Sequence, residues 1–248
     1  MDPRPPVEAV VFDWGGTLTR WHPIDIAETW RRVARAVHAG AVAAPPGGPV
    51  GVDAVEELAA RLFEVDEALW SRTRAGCESG RFADVLAACS LEASAELLAA
   101  HVELWEPHSA LDPDAAPLLA ALKERGLRVG LLSNTIWPAA QHAAWLERDG
   151  VAHLFDGTVY SSEIPWVKPH PEAFRAAMAA VGVADPARVV FVGDRPYEDI
   201  HGAHRAGMRA VLVPYTEIPP EARGPVQAEA DAVLGRLLDL LPLLDDWS

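Results

Sequence analysis

The chain has 248 residues, half of them hydrophobic, and a formal net charge of −15. That is enough apolar material for one large core, or for a core and a small second domain. No basic stripe and no apolar run near the roughly 20 residues of a membrane helix are present, so neither a nucleic acid nor a membrane is an expected partner.

The first element is the apolar run "VEAVVF" (7–12), which ends at Asp13 and turns through "WGGT". The N-terminus enters this strand without the basic and apolar regions of a secretory leader, and Cys77 and Cys89 form no CxxC pair, so a reduced, cytoplasmic protein is expected. Residues 21–106 then read as successive helices with no buried strand: 25–40, 52–76, 80–89 and 92–105, with a Gly/Pro-rich loop at 40–51. Arg31, Arg32 and Arg35 lie along the first of them as a solvated face. From residue 107 onward, strands "RVGLLS" (128–133), "GTVYSS" (157–162), "RVVFVGD" (188–194) and "RAVLVP" (209–214) alternate with helical patterns at 114–126, 137–150, 170–182 and 197–207. Strands apolar on both faces and separated by helices predict an α/β fold, a doubly wound parallel sheet. The organisation expected is a core from residues 1–20 and 107–248 and a smaller all-helical domain, 21–106, inserted after the first strand.

In such a sheet ligands gather at the carboxyl ends of the strands. Those ends here carry Asp13, Ser133, the Ser161–Ser162 pair and Asp194. A strand-end carboxylate beside glycines is suited to nucleophilic attack on a phosphoryl group, or simply to capping a turn. "LLSNT" supplies Ser133 and Asn134 as phosphate-holding groups or ordinary turn residues. Lysine occurs only at 123 and 168; Lys168, in "WVKPHPEAF", is set by flanking prolines and would offset repulsion between Asp13 and a phosphate. Asp194 and Asp199, in "VGDRPYEDIHGAHRAGM", suit a hard cation such as Mg2+. His201 and His204 follow this segment and are expected on a helix surface.

Together, "FDWGGTLT", "LLSNT", "VKPHPEAF" and "VGDRPYEDIHGAHRAGM" resemble, in order and spacing, the four motifs of the haloacid dehalogenase superfamily of phosphohydrolases. The resemblance covers residues 7–20 and 111–248, and the insertion sits where the family carries its helical cap of the first type. It implies that Asp13 is a nucleophile that becomes a phosphoaspartate, with Ser133 and Lys168 acting with it. It implies Mg2+ on Asp13, the Gly15 carbonyl, Asp194 and Asp199. Trp14, Gly16, Thr17, Ser133, Asn134 and Lys168 would form the substrate and phosphate site, Thr17 supporting the loop. The departure is Gly15, where family phosphatases carry the aspartate that protonates the leaving group and then activates water. Glycine keeps the carbonyl and has no proton to give, unless a backbone conformation reserved to glycine is what the position demands.

The reading is Mg2+-dependent hydrolysis of a small phosphorylated metabolite, slow for want of that acid, by a monomer or homodimer. Two others stand beside it: a metal-independent 2-haloacid dehalogenase-like hydrolase, which would not need Asp194 and Asp199, and a weakened phosphate-binding protein. Schiff-base chemistry from a cap lysine is disfavoured, since 21–106 contain no lysine. Specificity would come from Trp14, Trp21, His22, Arg72, Arg74, Arg81, Trp137 and Trp166, with tryptophans near the phosphate site suggesting an apolar or aromatic leaving group and His22 the nearest substitute acid in sequence. Packing of the cap against the core is the plainer role for any single tryptophan.

Overall fold

The computed structural model describes residues 5–20, 24–40, 52–214 and 228–247. Trp21, His22 and loop positions 41–51 lie outside them. Among the described residues, β1 (Ala9–Phe12), β2 (Arg128–Ser133), β3 (Gly157–Tyr160), β4 (Val189–Gly193), β5 (Arg209–Leu212) and β6 (Ala232–Val233) form one parallel sheet in the order β3-β2-β1-β4-β5-β6. The fold is the expected α/β one. Two-residue β6 is an addition to the five strands expected from the sequence.

Each central strand is apolar on both sides because both faces are covered. Val10 and Phe12 of β1 belong to one hydrophobic cluster, with α5 (Ala115–Glu124) and α9 (Leu240–Asp246). Ala9 and Val11 belong to the other, with α7 (Pro171–Val181) and α8 (Gly202–Ala206). Close helix packing explains Gly130 in β2: a Cβ there would lie 2.7 Å from Val181. The helix expected at 197–207 starts as a π-turn, Pro196–His201, and continues as α8.

Between β1 and α5 the chain forms α1 (Ile26–His38), α2 (Val52–Gly76), α3 (Phe82–Ala88) and α4 (Ala95–Val102), the helical cap. Asp25 caps α1, its carboxylate accepting from Glu28 N at 3.0 Å. Trp30, fully buried, stacks on Phe82 at 5.7 Å and meets His101 edge-on at 4.4 Å. Arg31 pairs with Glu28 (2.5 Å) and Glu56 (3.0 Å), and Arg32 with Glu103 (2.6 Å), so the solvated face also ties α1 to its neighbours.

The chain leaves and re-enters the core side by side: Thr19 bridges Leu111, and Asp112 N donates to Leu18 O at 2.8 Å. A second contact holds the cap over the strand ends. Ser79 N donates to Pro165 O (3.0 Å), Val167 N to Cys77 O (3.0 Å) and Arg81 Nε to Ser162 O (2.9 Å). No helix among the described residues is long and apolar enough to cross a membrane.

Candidate active site

The register of β1 sets the site. Phe12 pairs with Leu131 on one side and Val192 on the other, so Asp13 emerges between the ends of β2 and β4. The strand order reverses there, which is where open α/β sheets bind ligands. The loop after Asp13 is closed by its own backbone: Leu18 N and Thr19 N donate to Trp14 O (3.0 and 3.1 Å), and Gly16 N donates to Thr19 O (2.9 Å). Gly16 has φ +90°, which favours glycine. Gly15 does not share that constraint: its φ lies outside the left-handed region and a Cβ would have no atom within 4 Å.

Lys168 reaches the site from the turn before α7. Its Nζ donates to Asp13 Oδ1 at 2.5 Å and to Asp199 Oδ1 at 2.7 Å, all three side chains being buried. Asn134 fixes the turn that carries it, donating to Lys168 O (3.0 Å) and accepting from Lys168 N (2.9 Å). Asp199 comes from the π-turn and accepts from Arg195 N at 2.9 Å. Its approach requires Gly193, where a Cβ would lie 2.4 Å from the Asp199 carboxyl. Thr17 Oγ1 donates to Asp13 Oδ2 at 3.3 Å.

These charges are mutually dependent. Burial pulls the Lys168 ammonium down, but Asp13 and Asp199 outweigh it and hold the group above the usual lysine range. Burial pushes Asp199 up, against the pull of Lys168 and with the like charge of Asp13. Burial likewise opposes the charge of Arg195, and Asp194 and Glu198 more than restore it. Asp13, Asp194 and Asp199 are all buried, and each has a carboxylate oxygen within 4.8 Å of those of the other two. Three carboxylates, with Glu198 nearby, against the ammonium of Lys168 and the guanidinium of Arg195 leave excess negative charge around an all-oxygen donor set. That chemistry fits Mg2+.

A cavity of about 420 Å3 opens over Asp13, lined from the core by Asp13, Trp14, Gly15, Ser133, Asn134 and Lys168. From the cap side come Asp66, Trp70, Arg74 and His101, so the cap roofs the strand ends. Asp194 and Asp199 are buried beside Asp13 and off the cavity lining.

Several expected roles change. Gly16 and Thr17 do not line the cavity, and their N–H groups close the turn (Gly16 N to Thr19 O, 2.9 Å; Thr17 N to Trp14 O, 3.3 Å), so they shape the loop. The Asn134 side chain is spent on the backbone of Lys168, which makes it a positioning residue. Trp166 turns away to stack on His170 at 4.1 Å. Arg72 and Arg81 are off the lining. Ser161 Oγ accepts from Thr135 N (2.8 Å) and Ser162 Oγ donates to Trp137 O (2.5 Å), so this strand end braces the β2 loop. His204 pairs with Asp231 at 3.0 Å and His201 stacks on Tyr197, both away from the carboxylates.

Other lining residues had weaker sequence signals. Arg195 directly follows Asp194. Asp66 shares a stripe of α2 with Leu62 and Leu69, a carboxylate on an apolar face. Trp30 Nε1 donates to it at 3.1 Å, and burial, with no full cation opposing it, pushes its pKa up to about 6. His101 and His142 are buried, and burial pushes each down to about 3, so both are neutral imidazoles. Nothing in the pattern around His142 distinguishes it from a surface residue of α6 (Ala139–Arg148).

A family model for haloacid dehalogenase-like hydrolases matches residues 7–207. A phosphoserine phosphatase of Thermus thermophilus is 43% identical over 103 residues, 42% of this chain and 40% of that protein. A glyceraldehyde 3-phosphate phosphatase of Methanopyrus kandleri is 40% identical over 101 residues, 41% of this chain and 42% of that protein. The pyrophosphatase PpaX of Bacillus cereus is 31% identical over 130 residues, 51% and 56%. The chain thus spans about half, or less, of the length of these curated relatives. Among solved structures, a HAD phosphatase from Thermococcus onnurineus superposes with a TM-score of 0.63 at 22% identity, over 96% of this chain and 98% of that one. A 2-haloacid dehalogenase from Pseudomonas syringae superposes at 0.61 and 23%, over 98% and 100%. Both share the fold.

Proposed function

The chain belongs to the haloacid dehalogenase-like hydrolases, and on that premise we propose that it hydrolyses the phosphate ester of a small metabolite with Mg2+ held beside Asp13. The observation that carries this reading is the buried cluster of Asp13, Asp194 and Asp199, with Lys168 bonded to two of the three. A haloacid dehalogenase attacks carbon and has no use for such a cluster, whereas an anionic phosphate beside three carboxylates requires added positive charge.

A carboxylate oxygen of Asp13 attacks phosphorus, the phosphorus–oxygen bond to the organic group breaks, and an acyl phosphate forms on Asp13. Water then attacks that phosphorus and releases inorganic phosphate, regenerating the carboxylate. Lys168, kept cationic by its two carboxylate partners, and Ser133 on the cavity wall hold the phosphoryl oxygens. Asp13, Asp194 and Asp199, with the carbonyl of Gly15, would hold Mg2+, which supplies charge neutralisation at the transferring group. Gly15 offers no proton to the leaving oxygen and no base to the water, so turnover is slow. The cap, residues 21–106, excludes water and selects the organic group.

Phosphate release from a panel of phosphorylated metabolites and an aryl phosphate, with Mg2+ and with excess chelator, tests the proposal. Hydrolysis that requires Mg2+ supports it; undiminished hydrolysis in chelator removes the metal and restores the dehalogenase reading. Gly15 also favours one second reading, a protein that binds phosphate esters without useful turnover. Saturable binding of substrates that release no phosphate would select it.

A further inference from the structure

The cavity has a second end that the phosphate chemistry does not use. Five of the nine tryptophans of the chain, Trp14, Trp70, Trp105, Trp137 and Trp145, line this one space. Trp137 is their hub, meeting Trp105 edge-on at 5.0 Å and Trp145 at 5.2 Å. Two imidazoles extend the aromatic wall. His101 accepts from Trp137 Nε1 at 3.1 Å, and His142 lies flat on Tyr160 at 4.5 Å with its edge toward Trp14 at 5.9 Å. Trp14, Trp137 and Trp145 are buried. Trp70 and Trp105 pack against the same cluster but are only half-buried, and each also lines the cavity from the cap.

The charges on the same walls narrow the ligand. Both imidazoles are neutral. Apart from Lys168 and Arg195, the cations on the lining are Arg20, paired with Asp112 at 3.1 Å, and Arg74, exposed on a wall that also carries Asp66 and Glu67. Among the described lining residues, no buried cation beyond Lys168 and Arg195 is offered to a second anionic group. Five indoles with two neutral imidazoles among them favour a flat, uncharged partner through stacking and edge contacts.

We infer that the organic part of the substrate is a neutral aromatic ring, so that the ligand class is the phosphate monoester of an aromatic alcohol. The inference rests on the phosphatase reading of the same cavity and names its substrate class. The relatives' names point elsewhere, to phosphoserine, glyceraldehyde 3-phosphate and pyrophosphate.

Leaving-group chemistry must be kept apart from fit. Benzyl phosphate and glycerol phosphate both leave through an alkyl oxygen, so the missing acid at Gly15 penalises both, and their difference in KM reads the ring. The expected KM for benzyl phosphate is at least about tenfold lower, about 1.4 kcal/mol. Trp70→Ala should raise that KM about fivefold and leave glycerol phosphate within about twofold, and Trp70→Phe should restore it, on the scale of a lost aromatic contact. If Trp70→Ala unfolds the cap, Trp70→Leu keeps apolar bulk and removes the ring. Titration calorimetry with 2-naphthalenemethanol reads the same surface without catalysis. Hydrolysis of both esters with equal KM, and no saturable heat from the alcohol, overturns the inference and leaves the phosphatase reading standing. Saturable binding of the alcohol that Trp70→Ala weakens, with no ester hydrolysed, does the reverse.

Discussion

The core beneath the cavity and the cap above it each bury a carboxylate, and the two have different partners. On the core side Asp199 bonds to the ammonium of Lys168 at 2.7 Å, and that ammonium also reaches Asp13 at 2.5 Å. On the cap side Asp66 receives the indole N–H of Trp30 at 3.1 Å, and the Trp70 indole also favours its charged form. Burial penalises both, but the core supplies a full positive charge and the cap supplies a dipole. Burial raises the pKa of both carboxyl groups, so the contrast lies in their partners: a buried ammonium on the core side, and indole dipoles on the cap side beside the neutral His101. A buried cation at the strand ends suits phosphoryl chemistry, and the aromatic rings under the cap suit selection by shape.

The largest effect comes from removing the nucleophile. Asp13→Asn keeps the shape of the side chain and should lower phosphate release by on the order of 10³-fold or more. A fall of less than tenfold in a folded variant would mean that the core wall does not do the chemistry.

The next effect runs in the opposite direction. Gly15→Asp returns a carboxyl group to a loop position with open space for its Cβ and an unexceptional φ. The variant should fold, and turnover of an alkyl phosphate should rise by on the order of 10²-fold, within the usual range for a positioned acid or base. Aryl phosphates, whose leaving oxygens need less protonation, should gain less. An equal gain on both would assign the new carboxylate to the water-activation step alone.

Much of the core wall was legible in the sequence, and the reasons are local. Buried parallel strands are apolar on both faces, so β1, β2 and β4 announce themselves, and their ends name Asp13, Ser133 and Asp194. Lys168 stood out because the chain has a single other lysine. The clamp between Asn134 and the Lys168 backbone was not legible, because it joins residues 34 positions apart through main-chain atoms. Trp166 misled because nearness to Lys168 in sequence says nothing about which way a ring turns. The cap wall is harder to read in principle. Asp66 and His101 draw their character from burial between helices, which periodicity hints at only for Asp66, and two-residue β6 is too short to carry any pattern.

Metal binding sharpens the contrast without any substrate. If Mg2+ completes the core wall, it should stabilise the folded chain by about 2.7 kcal/mol at a hundredfold excess over its Kd, read as a rise in Tm. Asp194→Asn should shrink that rise, whereas Asp66→Asn on the cap should leave it unchanged. Equal rises in all three proteins would place the ion outside the Asp13 cluster.

The smallest effects are read by pH. The buried imidazole of His142 has a pKa of about 3, against 6.5 for an ordinary histidine. Below about pH 6.5 the unfolded chain takes up a proton that the folded chain refuses, so folding loses stability as the pH falls, down to about pH 3. Between pH 7 and pH 5 this amounts to about 2 kcal/mol. His142→Phe keeps a ring on Tyr160 and removes the titration, so wild type should lose about that much more than the variant over this interval, measured as urea-unfolding free energies. Asp66 carries the opposite sign. Its pKa is about 6 in the folded chain against 3.8, so its contribution to stability is full below about pH 3.8 and is lost as the pH rises through about 6. Over the same interval the wild type should therefore gain about 1 kcal/mol relative to Asp66→Asn, whose amide can still accept from Trp30. Effects of the same sign for the two substitutions would mean that burial does not oppose the charged forms of these two groups, one in the core and one in the cap.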